Sequence, residues 1–404
     1  MPRIVITGLG VVSPIGNSID TFRAGLFSGH GGIGTLSFPF RGQEVIFPAA
    51  VVKDFKIEDY IDAKKTPMLD RYAQFAVGAA VQAFRDSGLV LTEESASKMA
   101  VITGTGAGGQ NTLEESYYKL LDPAGSGRVH PFTIPRLMVN AGSSQISMAL
   151  GITGPGFTVA SACASAIHAM GVTLSMLRSG LIDAAITGGA EACLTFGTLK
   201  GWEALRVMAP DVCRPFSAGR AGMVLGEGAA MFVLETEEKA KARGAKIYAE
   251  FAGFGMSSDA KDITTPDVTG AARAIANCLR DAGIAPEQVD YINAHGTGTR
   301  INDATETQAV KLALGAHARK IALSSSKSLF GHALGAAGAL EMLATVLAVR
   351  EDTAPPTINY QSPDPECDLD CVPNEARMMP ITVALNNSFA FGGLNASVAV
   401  RKAG

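Results

Sequence analysis

Cys163 is the side chain in this sequence whose setting best suits covalent catalysis. It follows the apolar stretch GPGFTVA and lies in SACASA, which opens a long apolar segment. A helix beginning there would direct its first N–H groups toward the Cys163 sulfur and favour a negative charge on it. That effect is at most ~2 kcal/mol, or about 1.5 pKa units, on a thiol that starts near a pKa of about 8.5. Cys163 is therefore a candidate nucleophile that needs a polar partner, and a small buried structural thiol is the alternative.

Two of the six histidines have settings suited to a reacting group. His295 ends a short apolar run and begins the turn HGTGT, in which glycines allow close approach of a ligand and Thr297 and Thr299 offer hydroxyls. His332 lies in SLFGHALGAAG, where small residues open a second apolar segment. If the two segments are equivalent helices, both imidazoles converge with Cys163. For either histidine alone, a hydrogen-bonded core residue is the simpler interpretation.

Two other kinds of site fit parts of the sequence. His295, Asp303 and Glu306 would offer metal ligands, but the chain has no His pair at i, i+4 and no Cys/His ligand spacing, so no metal is predicted. The segment GTGAGG at 104–109 fits the G-x-G-x-x-G pattern of dinucleotide-binding enzymes. A lone match far from the N-terminus is weak evidence, and the segment repeats the pattern of HGTGT.

Composition favours a layered α/β protein. The 404 residues are 47% hydrophobic and 18% charged but only 6% aromatic, with 45 glycines, so the core must be built from closely packed aliphatic and small side chains. The length exceeds one ordinary core and predicts two domains or a duplication. A net charge of −4 argues against a nucleic-acid partner, which normally requires a basic face.

The cysteine pattern and the N-terminal segment favour a cytoplasmic protein. The six cysteines are scattered without C-x-x-C spacing, which is typical of reduced thiols rather than a disulfide framework. The N-terminal segment MPRIVITGLGVVSPIGN lacks the pattern of a signal peptide. The most apolar later stretch, 333–349, contains Glu341 and predicts a buried helix, so no membrane span is expected.

Two sequence echoes, about half the chain apart, indicate an internal duplication. RDSG at 85–88 ends one Ala-rich helical pattern and precedes VITGTG, and RDAG at 280–283 ends another and precedes YINAHGTGT. The glycine that ends each pattern predicts a helix C-cap. The apolar segments 161–180 and 327–350 form the second echo, and neither has a polar face. The predicted fold is α/β with two halves, 1–250 and 251–404, and two buried helices between two sheets, giving five layers. Because such short echoes also arise by chance, the motifs must decide whether the chain has a duplicated fold.

Four ordered motifs together resemble the β-ketoacyl-acyl-carrier-protein (ACP) synthases, most closely the elongating type II form. They are SACASA, NAHGTGT, SSSKSLFGHALGAAGALE and NNSFAFGGLNA, and the resemblance runs from VITGLGVVSPIGN to the final FGG. It implies a thiolase-like fold with αβαβα layers, usually as a homodimer, with a heterodimer left open. It also implies decarboxylative Claisen condensation, with ACP as partner and malonyl-ACP and acyl-ACP as substrates. No tightly bound cofactor is expected, because phosphopantetheine arrives on the carrier.

The resemblance assigns a role to each motif residue. Cys163 accepts the acyl chain, and neutral His295 and His332 donate hydrogen bonds to the malonyl thioester carbonyl. Lys327 matches a buried lysine beside the second histidine, with Glu341 as its acidic partner; a structural ion pair is the alternative. Thr297 and Thr299 match two residues that bind pantetheine. Phe391 matches a gating phenylalanine, whose N–H joins that of Cys163 in the oxyanion hole.

Departures from the family pattern concern the gate, the acyl pocket and the docking surface. Ala390 and Leu394 replace Gly and Thr in the C-terminal motif, which predicts a stiffer gate loop. Small residues at two acyl-pocket positions, Ala107 and Thr133, predict a roomier tunnel. The basic carrier-docking surface is retained in part, at Lys64, Arg128 and Arg206.

Three classes of function remain after the resemblance is applied: an elongating synthase, a non-catalytic chain-length partner, and a thiolase or initiating synthase. The run WEALRVMAPDVCRPFS is similar to nodulation-type and other specialised synthases, so an unusual acyl chain, polyunsaturated or bulky, is the alternative to ordinary fatty acid elongation. A non-catalytic chain-length partner usually lacks the nucleophile that Cys163 provides. Thiolases and initiating synthases generally replace one of the two histidines. Acyl chain length, cognate carrier and pathway are not determined by the sequence.

Overall fold

The computed structural model describes residues 1–404 and places most strands in one ten-stranded sheet, with two small sheets beside it. The runs rich in Val, Ile and Ala form strands that are buried on both faces, as expected for sheets covered by helices. The strands are β1 (Ile4–Val12), β2 (Ile33–Phe40), β3 (Gln43–Ala50), β4 (Met99–Gly104), β5 (Gly156–Val159), β6 (Ala184–Glu191), β7 (Leu225–Gly226), β8 (Gly228–Thr236), β9 (Ala249–Ser258), β10 (Tyr291–Asn293), β11 (Ala322–Ser324), β12 (Thr353–Ala354), β13 (Arg377–Met378), β14 (Val383–Ala390) and β15 (Leu394–Arg401).

Helices alternate with these strands along the chain. The two predicted glycine caps are confirmed: Gly88 and Gly283 end their helices with φ of 64° and 61°, in the left-handed region. The helices are α1 (Ile19–Ser28), α2 (Arg71–Ser87), α3 (Glu93–Ser97), α4 (Gln110–Leu121), α5 (Thr133–Leu137), α6 (Ala141–Leu150), α7 (Ser165–Arg178), α8 (Phe196–Ala204), α9 (Glu237–Ala242), α10 (Val268–Ala282), α11 (Arg300–Leu314), α12 (Lys327–Phe330) and α13 (Ala337–Glu351). None of them is long and apolar enough to cross a membrane.

The large sheet consists of the same five-stranded arrangement twice. The first half has the order β1-β8-β6-β4-β5 and the second β9-β15-β14-β10-β11. In each half the first two strand pairs are antiparallel and the last two are parallel. The repeated order and direction confirm the predicted duplication. The halves meet where β1 pairs with β9 through Val5 with Glu250 and Ile6 with Ala249.

Two buried helices form the middle layer. In α13 every residue from Ala337 to Val349 is buried, and α7 packs against α13 and against strands of both halves. Helices α2 and α6 cover the first half of the sheet, and α10 and α11 lie on the second half. The layers are outer helices, the first half of the large sheet, the middle helices, the second half of the sheet and outer helices, which confirms the five-layered α/β fold.

The halves share these layers and the strand contact between them. The predicted division between 1–250 and 251–404 falls inside β9, which begins at Ala249 and pairs with β1 at once. The largest core cluster contains residues of both halves, from Ile4 to Val400. We therefore propose the two halves as structural repeats that depend on each other for stability.

Candidate active site

Cys163 lies at a sharp turn between β5 and α7. The preceding Ala162 has φ of 49°, a left-handed conformation that is costly for a residue with a side chain. The turn is stabilised by Ala164 and Ser165, whose N–H groups donate to the carbonyls of Ser161 and Ala162. The thiol is 6% exposed and lies at the inner end of a cavity of about 610 Å³. The strained turn thus places the sulfur at the start of the buried helix, as the sequence predicted.

His332 contacts the thiol directly and is held in one tautomer. Its Nε2 lies 3.2 Å from the Cys163 sulfur, and its Nδ1 accepts the N–H of Leu334 at 3.1 Å. Because Nδ1 is an acceptor, the proton of the neutral ring is on Nε2. The backbone of His332 is fixed against strand β7, since its N–H donates to the carbonyl of Val224 at 2.7 Å. His332 therefore points an N–H donor at the sulfur.

His295 presents a second donor beside the first. Its ring centroid is 5.5 Å from that of His332, at an interplanar angle of 86°. Its Nδ1 lies 3.2 Å from the Lys327 ammonium, which is a donor only, so the neutral ring carries its proton on Nε2. Glu306 holds the backbone of this segment by accepting the N–H groups of His295 and Gly296, each at 2.8 Å.

Lys327 organises the first histidine rather than the second. Its ammonium donates to the ring and the carbonyl of His295 and forms an ion pair with Glu341. The resemblance placed this lysine beside His332; in the structure its hydrogen bonds go to His295, while its charge acts on both rings. Both members of the ion pair are fully buried. Removing one partner would leave an unpaired buried charge, which is strongly destabilising.

Burial governs the protonation of all three reacting groups. It lowers the pKa of His295 and His332 well below the ordinary value, with the positive charge of Lys327 adding to the effect. Both rings are therefore neutral at physiological pH. Burial also raises the pKa of Cys163 to about 11, against the favourable charge of Lys327. The sequence argument for a lowered thiol pKa at a helix N-terminus is thus outweighed by desolvation.

Further predicted residues line the cavity. Thr297 and Thr299 do so with their hydroxyl oxygens 2.9 Å apart, and Arg206 lies at the exposed mouth. Phe391 follows β14, and its ring centroid is 5.6 Å from that of Trp202. The N–H groups of Cys163 and Phe391 donate to no other protein group, which leaves both available to an oxyanion.

Four predicted residues lie away from the cavity lining. Ala107 packs beside the apolar cluster that contains Phe47, and buried Thr133 donates its hydroxyl to the carbonyl of His130. Neither lines the cavity at Cys163, so their roles in an acyl pocket stay predictions. Lys64 and Arg128 are exposed and also lie outside this lining, and their docking role is likewise a prediction.

Sequence reasoning missed the buried groups that hold the site loops. Glu191 accepts the N–H groups of Gly106 at 2.6 Å and Gly335 at 3.0 Å, which ties the 104–109 loop to the segment after His332. A carboxylate therefore occupies the N–H groups of GTGAGG that a dinucleotide phosphate would need. The signal in the sequence was an acidic residue at the end of an apolar strand.

The turn after His295 is held by an arginine and two acids. Arg220 donates to the carbonyls of Thr299 at 3.3 Å and Arg300 at 3.1 Å, and it pairs with Asp364. Asp303 accepts the N–H of Gly298 at 3.2 Å. Asp303 and Glu306, which the sequence offered as metal ligands, thus bind backbone amides. Their spacing of three residues on one helix is the sequence feature that could have indicated a shared role in holding this turn.

The geometry also bears on metal binding at the three reacting groups. The ligand atoms of Cys163, His295 and His332 lie within 4.8 Å of one another, close enough for one ion. However, Leu334 and Lys327 present donors to the Nδ1 atoms, which places protons on both Nε2 atoms that would have to bind a metal. The arrangement suits two hydrogen-bond donors and a nucleophile.

Comparison with known proteins assigns this site to a family. The model of the β-ketoacyl synthase N-terminal domain matches residues 1–240, and that of the C-terminal domain matches residues 248–361. The chain belongs to the β-ketoacyl synthase family. The predictions of a thiolase-like fold and a condensing acyltransferase are confirmed.

Relatives from two functional groups match nearly the whole chain. The 3-oxoacyl-(acyl-carrier-protein) synthase 2 of Synechocystis sp. is 45% identical, over 99% of this chain and 98% of the relative. Nodulation protein E of Rhizobium sp. (strain N33) is also 45% identical, over 99% of each chain. Among solved structures, the ishigamide ketosynthase/chain length factor matches with a TM-score of 0.94 and 37% identity, over 100% of both chains.

Proposed function

We propose that this β-ketoacyl synthase elongates acyl chains by condensing malonyl-ACP with an acyl group held as a thioester on Cys163. The observation that carries the proposal is the convergence of two neutral imidazole N–H donors on one buried thiol. The two imidazole donors suit the enolate oxygen that decarboxylation generates, and the N–H groups of Cys163 and Phe391 suit the tetrahedral oxyanion. Phosphopantetheine arrives on the carrier, so the reaction needs no tightly bound cofactor.

The first half-reaction transfers the acyl group to the enzyme. The Cys163 sulfur attacks the thioester carbonyl of acyl-ACP, a carbon–sulfur bond to the enzyme forms, and the carrier leaves as its thiol with the proton of Cys163. The oxyanion formed on the way accepts hydrogen bonds from the N–H groups of Cys163 and Phe391. The His332 N–H, 3.2 Å from the sulfur, stabilises the thiolate while it forms.

The second half-reaction breaks and forms carbon–carbon bonds. His295 and His332 donate their Nε2 protons as hydrogen bonds to the malonyl thioester oxygen. The carbon–carbon bond to the malonyl carboxylate breaks and carbon dioxide leaves. The electron pair of that bond stays on the malonyl carbon and generates the enolate. The enolate carbon attacks the acyl carbonyl on Cys163, and the Cys163 thiolate leaves to give β-ketoacyl-ACP. Lys327 and Glu341 are positioning residues that keep His295 neutral and oriented.

Intact-mass spectrometry separates the two half-reactions. Wild-type protein incubated with acyl-ACP should gain one acyl adduct, and Cys163→Ala should gain none. His332→Ala should still acylate but should lose most decarboxylation of malonyl-ACP, about a hundredfold or more, because one donor to the enolate is gone. An adduct that persists in Cys163→Ala, or normal decarboxylation by His332→Ala, would contradict the proposed roles.

An unusual acyl chain is a second candidate substrate. The observation that favours it is the similarity to Nodulation protein E and to the ishigamide ketosynthase/chain length factor, alongside the fatty acid enzymes. Competition between saturated and polyunsaturated acyl-ACP for Cys163 tests it. Preference for saturated chains at every length would leave ordinary fatty acid elongation as the function.

We also propose a dimer, with a second copy of the chain as the first partner to test. Strand β5 ends the large sheet, and several large apolar side chains are exposed on this strand and in or just after the preceding helices, namely Ile134, Met138, Met148 and Phe157. An unpaired strand edge beside apolar side chains is a surface that proteins normally cover. Light scattering should give twice the chain mass, and Phe157→Asp should lower the measured mass.

We also propose a cytoplasmic location, which the six free thiols support.

A further inference from the structure

The strained turn before Cys163 is held by side chains from the start of α7. Ala162 has a left-handed conformation, which costs free energy and persists only where the surrounding structure fixes it. The buried side chain of Ser165 supplies one restraint: its hydroxyl accepts the N–H of Ser161 at 2.9 Å and donates to the carbonyl of Ala162 at 2.6 Å. A second side chain of α7 also contacts this turn.

That side chain is His168, which the proposed reaction does not use. Its Nδ1 lies 2.7 Å from the hydroxyl oxygen of Ser161, close enough for a hydrogen bond that either group can donate. Burial lowers the pKa of His168, so the ring is neutral at physiological pH. Neither His168 nor Ser161 lines the cavity above Cys163. An effect of this pair on the reaction must therefore act through the position of the turn.

The His168 ring also packs against the second half of the molecule. Phe254 of β9 meets it edge-on, with ring centroids 6.0 Å apart and an interplanar angle of 80°. The Phe254 ring lies directly on α7 at Gly171, where an added methyl group would be 2.5 Å from three of its carbon atoms. His168 therefore contacts both the turn that carries the thiol and the half of the molecule that carries the two imidazoles.

We propose that His168 is a positioning residue that sets the place of the Cys163 sulfur relative to the two imidazoles. This inference rests on the proposed function and adds a residue to it. The hydrogen bond to Ser161 restrains the residue before the strained Ala162, and the contact with Phe254 fixes the ring that makes this bond. Without the bond the turn can relax toward ordinary backbone angles, which moves the sulfur away from the imidazole N–H that faces it. A shift of about 1 Å at a reacting atom can cost on the order of a hundredfold in rate.

Variants of the pair test the proposal through the rate of Cys163 acylation by acyl-ACP, measured by intact mass. His168→Phe keeps a ring against Phe254 but removes the hydrogen bond, and it should slow acylation about tenfold. His168→Asn should recover the rate to within about threefold of wild type, because its amide can both donate to and accept from the Ser161 hydroxyl. Ser161→Ala should slow acylation as much as His168→Phe does, and combining these two substitutions should cause no further loss.

Decarboxylation of malonyl-ACP distinguishes positioning of the thiol from a general loss of folded protein. Because decarboxylation depends on the two imidazoles, the ratio of the acylation rate to the decarboxylation rate should fall about tenfold in His168→Phe and in Ser161→Ala. Loss of folded protein would lower both rates together and leave the ratio as in wild type. Ser175→Ala, at an exposed position on α7, is the matched control for the lost hydroxyl and should leave the ratio unchanged.

Three results would overturn the proposal. A wild-type rate of acylation in His168→Phe would show that the ring does not hold the turn. A double variant that is slower than wild type by about a hundredfold would show that His168 and Ser161 act independently. An unchanged ratio of the two rates would mean that the pair only stabilises the fold, and Ser161→Ala decides this alone if His168→Phe does not fold. Failure of the wild-type protein to acylate would instead contradict the proposed function.

Discussion

At the scale of single residues, the site depends on which hydrogen-bonding groups surround each ring. The Leu334 N–H and the Lys327 ammonium each face an Nδ1 atom, so the two imidazoles direct their remaining proton toward the substrate. A solvent-exposed histidine would sample both tautomers and both charge states. Burial disfavours the charged form of each imidazole, and the donor that faces Nδ1 disfavours the tautomer with its proton on that atom. Two ordinary side chains thereby become fixed neutral donors.

The neutral state of His332 predicts how stability depends on pH. In the unfolded chain this imidazole takes up a proton below a pKa of about 6.5, whereas in the folded protein it stays neutral, so acid favours the unfolded state. From about pH 7.5 to 5.5, the free energy of unfolding of wild type should fall by ~1.4 kcal/mol more than that of His332→Gln. Urea denaturation at the two pH values measures this difference. His30→Gln, at an exposed position, controls for loss of a histidine, and equal pH responses of wild type and His332→Gln would refute the assignment.

The raised pKa of Cys163 predicts its reactivity toward iodoacetamide. Because the thiolate is the reactive form and the pKa is about 11, labelling should quicken about tenfold for each pH unit and should not level off below about pH 9.5. Cys163 should still label before the other five cysteines, since it alone lines the cavity. Peptide mass spectrometry over a pH series measures both effects. A plateau near neutral pH would show a lowered pKa, and uniform labelling would remove the argument for a privileged thiol.

At the scale of elements, close backbone contact positions the nucleophile. A methyl group on Gly104, at the end of β4, would lie 2.4 Å from the backbone N of Ala166 in α7. A methyl group on Gly335 would lie 2.1 Å from the backbone N of Gly106. Glycine at these positions lets β4, the start of α7 and the segment after His332 meet without side chains between them. The distance from sulfur to imidazole is thus set by glycine contacts outside the reacting groups.

Substituting Gly104 tests this positioning. Gly104→Ala should force α7 away from β4, lower the free energy of unfolding by about 1–3 kcal/mol and slow Cys163 acylation at least about tenfold, because the thiol moves with the helix. Gly34→Ala in β2 is the matched control, since its added methyl group meets no atom within 4 Å. Urea denaturation and intact-mass acylation give the two measurements. Full acylation activity in a destabilised Gly104→Ala protein would separate stability from positioning and contradict the prediction.

At the scale of the whole molecule, the duplication brings distant parts of the chain into one site. Each half supplies one buried helix to the middle layer, and the thiol comes from the first half while both imidazoles come from the second. The halves share the largest core cluster and the β1–β9 strand contact. Neither half can bury its middle-layer helix alone, so folding and assembly of the site should be one event.

This dependence predicts a single unfolding transition. Trp202, the only tryptophan, reports on the first half, and Cys278, Cys367 and Cys371 are buried thiols of the second half. Fluorescence and thiol labelling of those three peptides should give the same urea midpoint, since two-state unfolding makes probes coincide. Separate midpoints would show that the repeats unfold independently and would overturn the proposed mutual dependence.

The sequence by itself determined the chemistry of this protein and its architecture. The residue types and settings of Cys163, His295 and His332 are local, and so are the apolar segments and glycine caps that indicated a duplicated α/β fold. Such local patterns can be recognised in the sequence because each depends only on residues within a few positions of one another. The motifs could therefore identify the condensing family before any contact was known.

Only the tertiary structure decided how these groups are held and charged. Glu191 and Arg220 act on loops far from them in the chain, and Lys327 turned out to serve His295. The expected lowering of the Cys163 pKa failed because desolvation depends on everything that surrounds the sulfur. The burial of the three reacting groups and the tautomers of the two imidazoles are properties of the assembled layers, and no short stretch of sequence contains them.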